Sequence, residues 1–339
     1  MVASRRGIVA AAHPLAASAG AQLLAAGGNA FDAAVATCAA LNVAEPFMSG
    51  LAGMGMAVAH VAPERRLRAL DFVTRVPSQF PAGCVASREE LRFGPLSVGT
   101  PGSLAGWCEL HRRYGTRPFA EVLAPAIALA EEGVPLLRFG AIMVERGRDA
   151  HAPARYGEEW VATYGKGAPV LRQPNLARTL RAVAAEGAAY LHDGPLGRAL
   201  VAHLGTLGGC LTETDLAGAR PQWLEPLAAA FRDRVVHSLP PPSEAFQLLL
   251  TLRILDRTPP VPGGLDGAET LDRTWRAIRL AAGMRIRHNN PSPNVLADLL
   301  SDATADRLRA RIDDPAVVEG PTEQFVAPAP ENPDRGHTT

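Results

Sequence analysis

The stretch Gly27-Gly28-Asn29-Ala30-Phe31-Asp32-Ala33-Ala34-Val35-Ala36, GGNAFDAAVA, decides how the first third of this chain folds. Before it, in HPLAASAGAQLLAA (13–26), Leu15, Ala19, Leu23 and Leu24 recur at helical spacing. The two glycines then stop that helix where a positive φ costs least. Asn29 is an N-cap whose side chain can accept an early backbone N–H, and Asp32, three residues on, places a negative charge at the positive end of the next helix. That second helix runs to about Leu41. Its Ala33, Ala34, Ala36, Ala39 and Ala40 are small enough for close packing and mark it as a buried layer.

Working outward, EPFMSGLAGMG (45–55) leads to two runs that read as strands, Met56–Val61 and Leu67–Phe72, joined by the turn-like APERR. From Val98 onward, helical blocks follow: TPGSLAGWCELHRRYG, PFAEVLAPAIALAEEG, NLARTLRAVAAEGAAYLH and LGRALVAHLGTLG. Thr212 with Asp215 forms a second capping pair. A strand near Arg234–Leu239 precedes PPPSEAF, where three prolines delay a helix until about Ala245. A long helical block covers Leu271–His288 and a short one Asn294–Ile312. Past Asp313 the periodicity ends, so the chain reads as one region, 1–312, and an exposed tail, 313–339.

Composition narrows the functional classes. With 47% hydrophobic and 20% charged residues in 339, the chain can bury a core. Lys+Arg and Asp+Glu are equal at 34, so no basic excess drives binding to a nucleic-acid backbone. Lys166 is the single lysine, a codon bias from which no function follows. Cys38, Cys84, Cys108 and Cys210 are too dispersed for a zinc site and are expected to be buried free thiols. The N-terminal MVASRRGIVAAAHP imitates a secretory leader, but His13 and Pro14 cut its apolar run short. No segment reaches the roughly 20 apolar residues of a membrane span, so a cytoplasmic location without membrane or nucleic-acid partners is the expectation.

Glycines 50, 53 and 55 fit neither phosphate-loop pattern and precede a strand instead of following one, so a loop of tight backbone approach is the reading. Arg285, Arg287 and His288 read as a solvated helix face, and His13, His60, His111 and His151 share no ligand spacing.

The segment GIVAAAHPLAASAGAQLLAAGGNAFDAAVATCAALNVAEPFMSGLAGMGMAVAH (7–60) resembles the opening of γ-glutamyltransferase family proteins. LDFVTRVP (70–77), VGTPGSLAGWCELHRRYGTRPFAEVLAPAIALAEEGVPL (98–136), LTETDLAGARPQWLEPL (211–227), PPPS (240–243) and the closing HTT continue the resemblance in the family's order. It implies an α+β fold, the αββα sandwich of N-terminal nucleophile hydrolases, here as the incomplete, helix-rich half that forms a large subunit. It also implies autocatalytic cleavage between His337 and Thr338, with Thr338 the nucleophile. A freed α-amino group, with a pKa of roughly 7.7–8.0, can serve the threonine hydroxyl as its base.

The family's small subunit, with its oxyanion-hole glycines and most substrate contacts, would begin at Thr338. It is the expected partner, beside a small-molecule amide substrate; no metal or organic cofactor is implied. The chain alone is expected to be inactive. A processed large subunit would end at His337, so a truncated, frameshifted or split gene product, or an excised fragment, is the expected origin of this end.

Two departures concern specificity. Where family members acting on γ-glutamyl compounds carry an Arg-Glu pair after the LDF strand, this chain has Val73 and Thr74. Arg75, two places on and on the same strand face as Val73, can reach a substrate carboxylate in their stead; it reads equally as a surface or structural arginine. Glu244, Ala245 and Phe246 replace the residues usually found near Ser243. Both changes favour an amidohydrolase or acylase over a glutathione-specific enzyme. The rival reading is a non-catalytic orphan chain that binds a partner or misfolds.

Overall fold

A computed structural model describes residues 7–85, 91, 94–151, 157–164, 169–259, 264 and 267–319. Two compact units share the chain: Met1–Gly55 with Asp71–Gln222, and Met56–Leu70 with Trp223–Thr339.

The first unit begins with a helical hairpin, α1 (Pro14–Ala25) and α2 (Ala30–Ala44). Both halves of the predicted capping box are present, with Asn29 Oδ1 accepting from the Phe31 and Asp32 amides and Asp32 accepting from Asn29 N. Small residues let the helices approach closely. A Cβ on Gly20 would lie 2.2 Å from Thr37 Oγ1 and 2.9 Å from the Ala33 carbonyl oxygen. Ala36, Ala39, Ala40 and Val43 are fully buried.

The chain then supplies β1 (Gly55–Val61) and β2 (Arg66–Phe72), as expected, around a short 3-10 turn whose last residue, Arg65, has φ 51°. Helices α3 (Ser103–Tyr114) and α4 (Phe119–Glu132) follow. The next segment, for which no element was expected, forms β3 (Val134–Pro135), α5 (Arg138–His151), α6 (Gly157–Tyr164) and β4 (Val170–Leu171). β3 and β4 pair antiparallel, Val134 opposite Leu171. The block 175–192 is two helices, α7 (Pro174–Glu186) and α8 (Ala189–His192), divided at Gly187 where φ is 65°. Helix α9 (Pro195–Thr206) and α10 (Glu213–Gly218) complete the unit, the latter with the predicted Thr212–Asp215 capping box.

The second unit contains the sheet order β1-β2-β5, with β5 at Gln222–Leu224. A hairpin follows, β6 (Leu227–Phe231) and β7 (Arg234–Ser238), in the register Ala229 opposite Val236. The alanine-rich β6 carried no strand signal. Helices α11 (Phe246–Asp256), α12 (Ala268–Arg287), α13 (Pro293–Leu299) and α14 (Asp302–Arg309) follow. The expected single block 294–312 is thus two helices. Ser301 separates them because its hydroxyl accepts from Thr304 N and starts a new N-terminus. Phe246, Leu250 and Ile254 of α11 pack with Leu280, Ala281 and Met284 of α12 in this unit's core. Each of these side chains except that of Ala281 contributes about 1.5–3 kcal/mol on burial.

The tail expected to be exposed from 313 departs from that expectation at its start. Ala316–Glu319 forms α15, and Val317 is fully buried in the same core as Ile312 and Leu308. The gain from burying a valine exceeds the weak helix signal of four residues, so the chain stays packed there. Residues 320–339 lie outside the described residues. Cys38 corrects another expectation: it is exposed, while Cys108 and Cys210 are partly buried, and all three are free thiols.

Candidate functional site

Strand β2 ends at Phe72, and three glycines from two segments surround that residue. A Cβ on Gly55 would lie 2.5 Å from ring atom Cε2, one on Gly106 2.2 Å from Cγ, and one on Gly102 2.1 Å from the Phe72 carbonyl oxygen. Real Cβ atoms do not approach so closely, so glycine is required for the packing at all three places. Of the loop of tight backbone approach expected at glycines 50, 53 and 55, Gly53 and Gly55 show it, whereas a Cβ on Gly50 would meet nothing within 4 Å. Gly53 also caps α3: its carbonyl accepts from the Gly102 and Ser103 amides, both at 2.9 Å.

The residues after Phe72 are tied to this platform. Arg75 pairs with Thr100 in an isolated antiparallel bridge, in which the Thr100 amide donates to the Arg75 carbonyl at 2.8 Å. Because β2 stops at Phe72, strand alternation does not relate Arg75 to Val73. The side chain is set instead by Asp71, whose Oδ2 accepts from Arg75 Nη2 at 2.6 Å while Oδ1 accepts from Val73 N at 2.8 Å. The Asp71 side chain is 3% exposed and that of Arg75 49%, so a buried carboxylate anchors a guanidinium that still reaches water. Apart from its ion pair with Asp71, the Arg75 guanidinium has no partner among the described residues.

Asp71, Val73, Arg75, Thr100 and Gly102 line a cleft of about 100 Å³ together with the segment 218–222, which includes Arg220. Asp215 ties the start of α10 to the chain after Arg75: besides its capping bonds with Thr212, its Oδ1 accepts from Ser78 N at 3.0 Å. The exchange of hydrogen bonds lowers the Asp215 carboxyl below its usual value, Thr212 and Ser78 overcoming the opposing effect of burial.

Of the predicted site residues, Arg75 lies in this cleft with Val73, while His337 and Thr338 lie outside the described residues. Arg220 was not singled out from sequence; an arginine in an irregular segment after a six-residue helix carries no motif. Ser243 accepts from the Ala245 amide at 3.2 Å, and Glu244 pairs with Arg285 at 2.5 Å, so the altered PPPSEAF segment has a local structural role in its own unit. Arg285 is therefore engaged, in contrast to the solvated face expected for 285–288. Burial pushes the Cys108 thiol up to about 11 and raises that of Cys210, so neither supplies a thiolate nucleophile at neutral pH.

Comparison with known proteins identifies the family to which this arrangement belongs. The family model described as gamma-glutamyltranspeptidase matches residues 16–339. The acylase ACY 1 proenzyme of Pseudomonas sp. (strain SE83) is 34% identical over 91% of this chain and 58% of its own length. The glutathione hydrolase 5 proenzyme of Mus musculus is 30% identical over 91% of this chain and 56% of its own. The chain thus spans somewhat more than half the length of these curated relatives. Among solved structures, Helicobacter pylori gamma-glutamyltranspeptidase superposes with a TM-score of 0.87 at 26% identity, covering 97% of each chain. The cephalosporin acylase of Bacillus halodurans superposes with a TM-score of 0.82 at 31% identity, over 91% of this chain and 61% of that one.

The fold is accordingly the expected one, the helix-rich large-subunit part of an N-terminal nucleophile hydrolase. With the family model extending across nearly all of its length, the chain belongs to the gamma-glutamyltranspeptidase family of hydrolases and transferases.

Proposed function

We propose that the whole protein is an autoprocessed amidohydrolase or acyltransferase with Thr338 as its nucleophile. Cleavage of the His337–Thr338 bond would free the threonine α-amine, which takes the hydroxyl proton as Oγ1 attacks the substrate amide carbon. The tetrahedral oxyanion collapses, the C–N bond breaks, and the departing amine takes that proton. The ester acyl-enzyme then passes its acyl group to water or to another amine.

The observation that carries this reading is the family match across residues 16–339, which includes the GHTT sequence, together with relatives whose names mark them as proenzymes. Those relatives are longer than this chain, and we assign the remainder of the site to the region they have beyond it, so this chain by itself is inactive. Arg75 is assigned to the carboxylate of the acyl group, because Asp71 fixes it on the wall of the cleft. Val73, in the place of the expected arginine, favours acylase-like over glutathione-type specificity.

The test begins with the coding sequence beyond codon 339 and expression of the whole protein. Release of the amine from glutaryl and γ-glutamyl anilides, with loss of both turnover and chain cleavage in Thr338→Ala, is the expected result. Undiminished turnover in that variant would remove Thr338 from the mechanism. An intact, uncleaved protein inert to both anilides would support the non-catalytic reading, which the exposed Leu271, Trp275 and Ile278 on α12 also suit.

A further inference from the structure

We propose that the outward face of α12 is a self-association surface, through which two copies of this chain pair antiparallel about a two-fold axis. The inference uses the second unit alone and holds whichever reading of the catalytic function stands.

Helix α12 has two apolar faces. Ala277, Leu280, Ala281 and Met284 turn inward and are buried in this unit's core. On the opposite side Leu271, Trp275, Ile278, Ala282 and Ile286 recur at helical spacing, which keeps them in one stripe down the helix. Leu271, Trp275, Ile278 and Ile286 are each between 40% and 59% exposed, and Ala282 is half-buried. The stripe is about 22 Å long at ~1.5 Å per residue. One apolar face suffices to hold a helix on its core; a second, continuous one marks a surface that another protein covers.

The stripe is complementary to itself in shape. A two-fold axis across it, midway between Trp275 and Ile278, reverses the direction of the second copy. Trp275 then faces the second copy's Ile278, Leu271 its Ala282, and Ile286 its Gly267. At each level the larger side chain meets a smaller residue, as knobs meet holes in paired helices.

It is also complementary in charge. Asp272 and Arg279 stand on the same flank of the stripe, two helical turns apart. The axis keeps each flank against itself while reversing its direction, so Asp272 comes beside the second copy's Arg279, and Arg279 beside its Asp272. A parallel pair would set that flank against Thr274 and Ala281 and join no opposite charges. The Arg279 guanidinium is held beside the stripe: its Nε donates to the Val317 carbonyl at 2.6 Å, and it lies 4.8 Å from the centre of the Trp275 ring. A guanidinium has several N–H donors, so the bond to Val317 is compatible with a carboxylate partner. The Asp272 side chain is half-exposed and accepts from Arg276 on its own helix at 2.7 Å, which leaves a face of the carboxylate toward water.

A single helix seam of this length covers less than the roughly 800 Å² that each partner contributes to a standard interface. The dimer is accordingly a weak one, governed by concentration.

The test is sedimentation velocity on the 339-residue chain over a range of concentrations, with Ile278→Arg and the charge reversals Asp272→Arg and Arg279→Asp. The wild-type chain is expected to pass from monomer to dimer as its concentration rises. Ile278→Arg should remain monomeric yet unfold at the wild-type temperature, because Ile278 lies outside the core. Either reversal alone places like charges together at both contacts and should weaken association at least about tenfold. An equimolar mixture of the two reversals should recover it, since every contact then joins opposite charges, a recovery that damage to the fold does not produce. A wild-type chain that stays monomeric throughout, or a dimer that Ile278→Arg leaves intact, would overturn the proposal. So would a mixture that associates no better than the separate reversals when both are folded by circular dichroism.

Discussion

Asp71 and Arg75 form an ion pair of 2.6 Å in which the carboxylate is buried and the guanidinium half exposed. The asymmetry means that the two deletions are not equivalent. Arg75→Ala leaves a buried carboxylate with only the Val73 amide, whereas Asp71→Ala leaves an arginine that water can reach. In a double-mutant cycle read by urea unfolding, Arg75→Ala should be the costlier single change. A coupling of about 1–2 kcal/mol is expected, discounted for the exposed side of the pair. Additive losses would show that the pair is not formed in solution.

Gly102 and Gly106 should both resist alanine, for different reasons. At Gly106 the new methyl meets the Phe72 ring, and at Gly102 it meets the Phe72 carbonyl. Each single substitution should cost about 2–3 kcal/mol. Phe72→Ala should recover part of the loss at Gly106 and none at Gly102, because only the ring can be removed. Equal recovery at both positions would contradict this packing.

Asp32 is fully buried and accepts from the Asn29 amide, from both the amide and hydroxyl of Thr116, and from Arg117 N. Burial works to raise its carboxyl, but these donors prevail and hold it below the usual value. The stabilisation is complete above about pH 4 and is lost as the pH falls through the depressed value. Asp32→Asn should cost about 3 kcal/mol at neutral pH and weaken the acid dependence of the unfolding midpoint. An unchanged acid limb would show that Asp32 titrates normally.

His192 gives the opposite kind of charge effect. It is buried, its Nδ1 lies 3.0 Å from the Leu216 carbonyl oxygen, and burial holds its imidazole below the ordinary value of about 6.5. The folded state then binds fewer protons than the unfolded state just below that value, so stability falls as the pH drops under about 6.5. Thermal midpoints between pH 7 and pH 5 should decline less in His192→Gln. Parallel pH curves for the two proteins would remove this assignment.

Much of this architecture can be read locally. Asn29 with Asp32, and Thr212 with Asp215, were evident as capping pairs because both partners lie within four residues. What each carboxylate does next was not evident: Asp32 reaches Thr116 and Asp215 reaches Ser78, contacts that exist only after the chain has folded. The small strands β3, β4, β5 and β6 escaped notice because two to five residues are too few to establish an alternation, and three consecutive alanines in β6 suit a helix as well as a strand. Arg75 was singled out through Val73, yet its place is set by Asp71, four residues back across the end of a strand.

The Gly53 carbonyl, which takes both the Gly102 and Ser103 amides, also bears on the order of assembly. It joins positions separated by about 50 residues, and closing such a loop costs about 3.5 kcal/mol of chain entropy. The α1–α2 hairpin closes across only a few residues. Helical pairing at the N-terminus can therefore precede the Gly53 junction, and the Arg75–Thr100 bridge is completed once that junction has brought the two segments together.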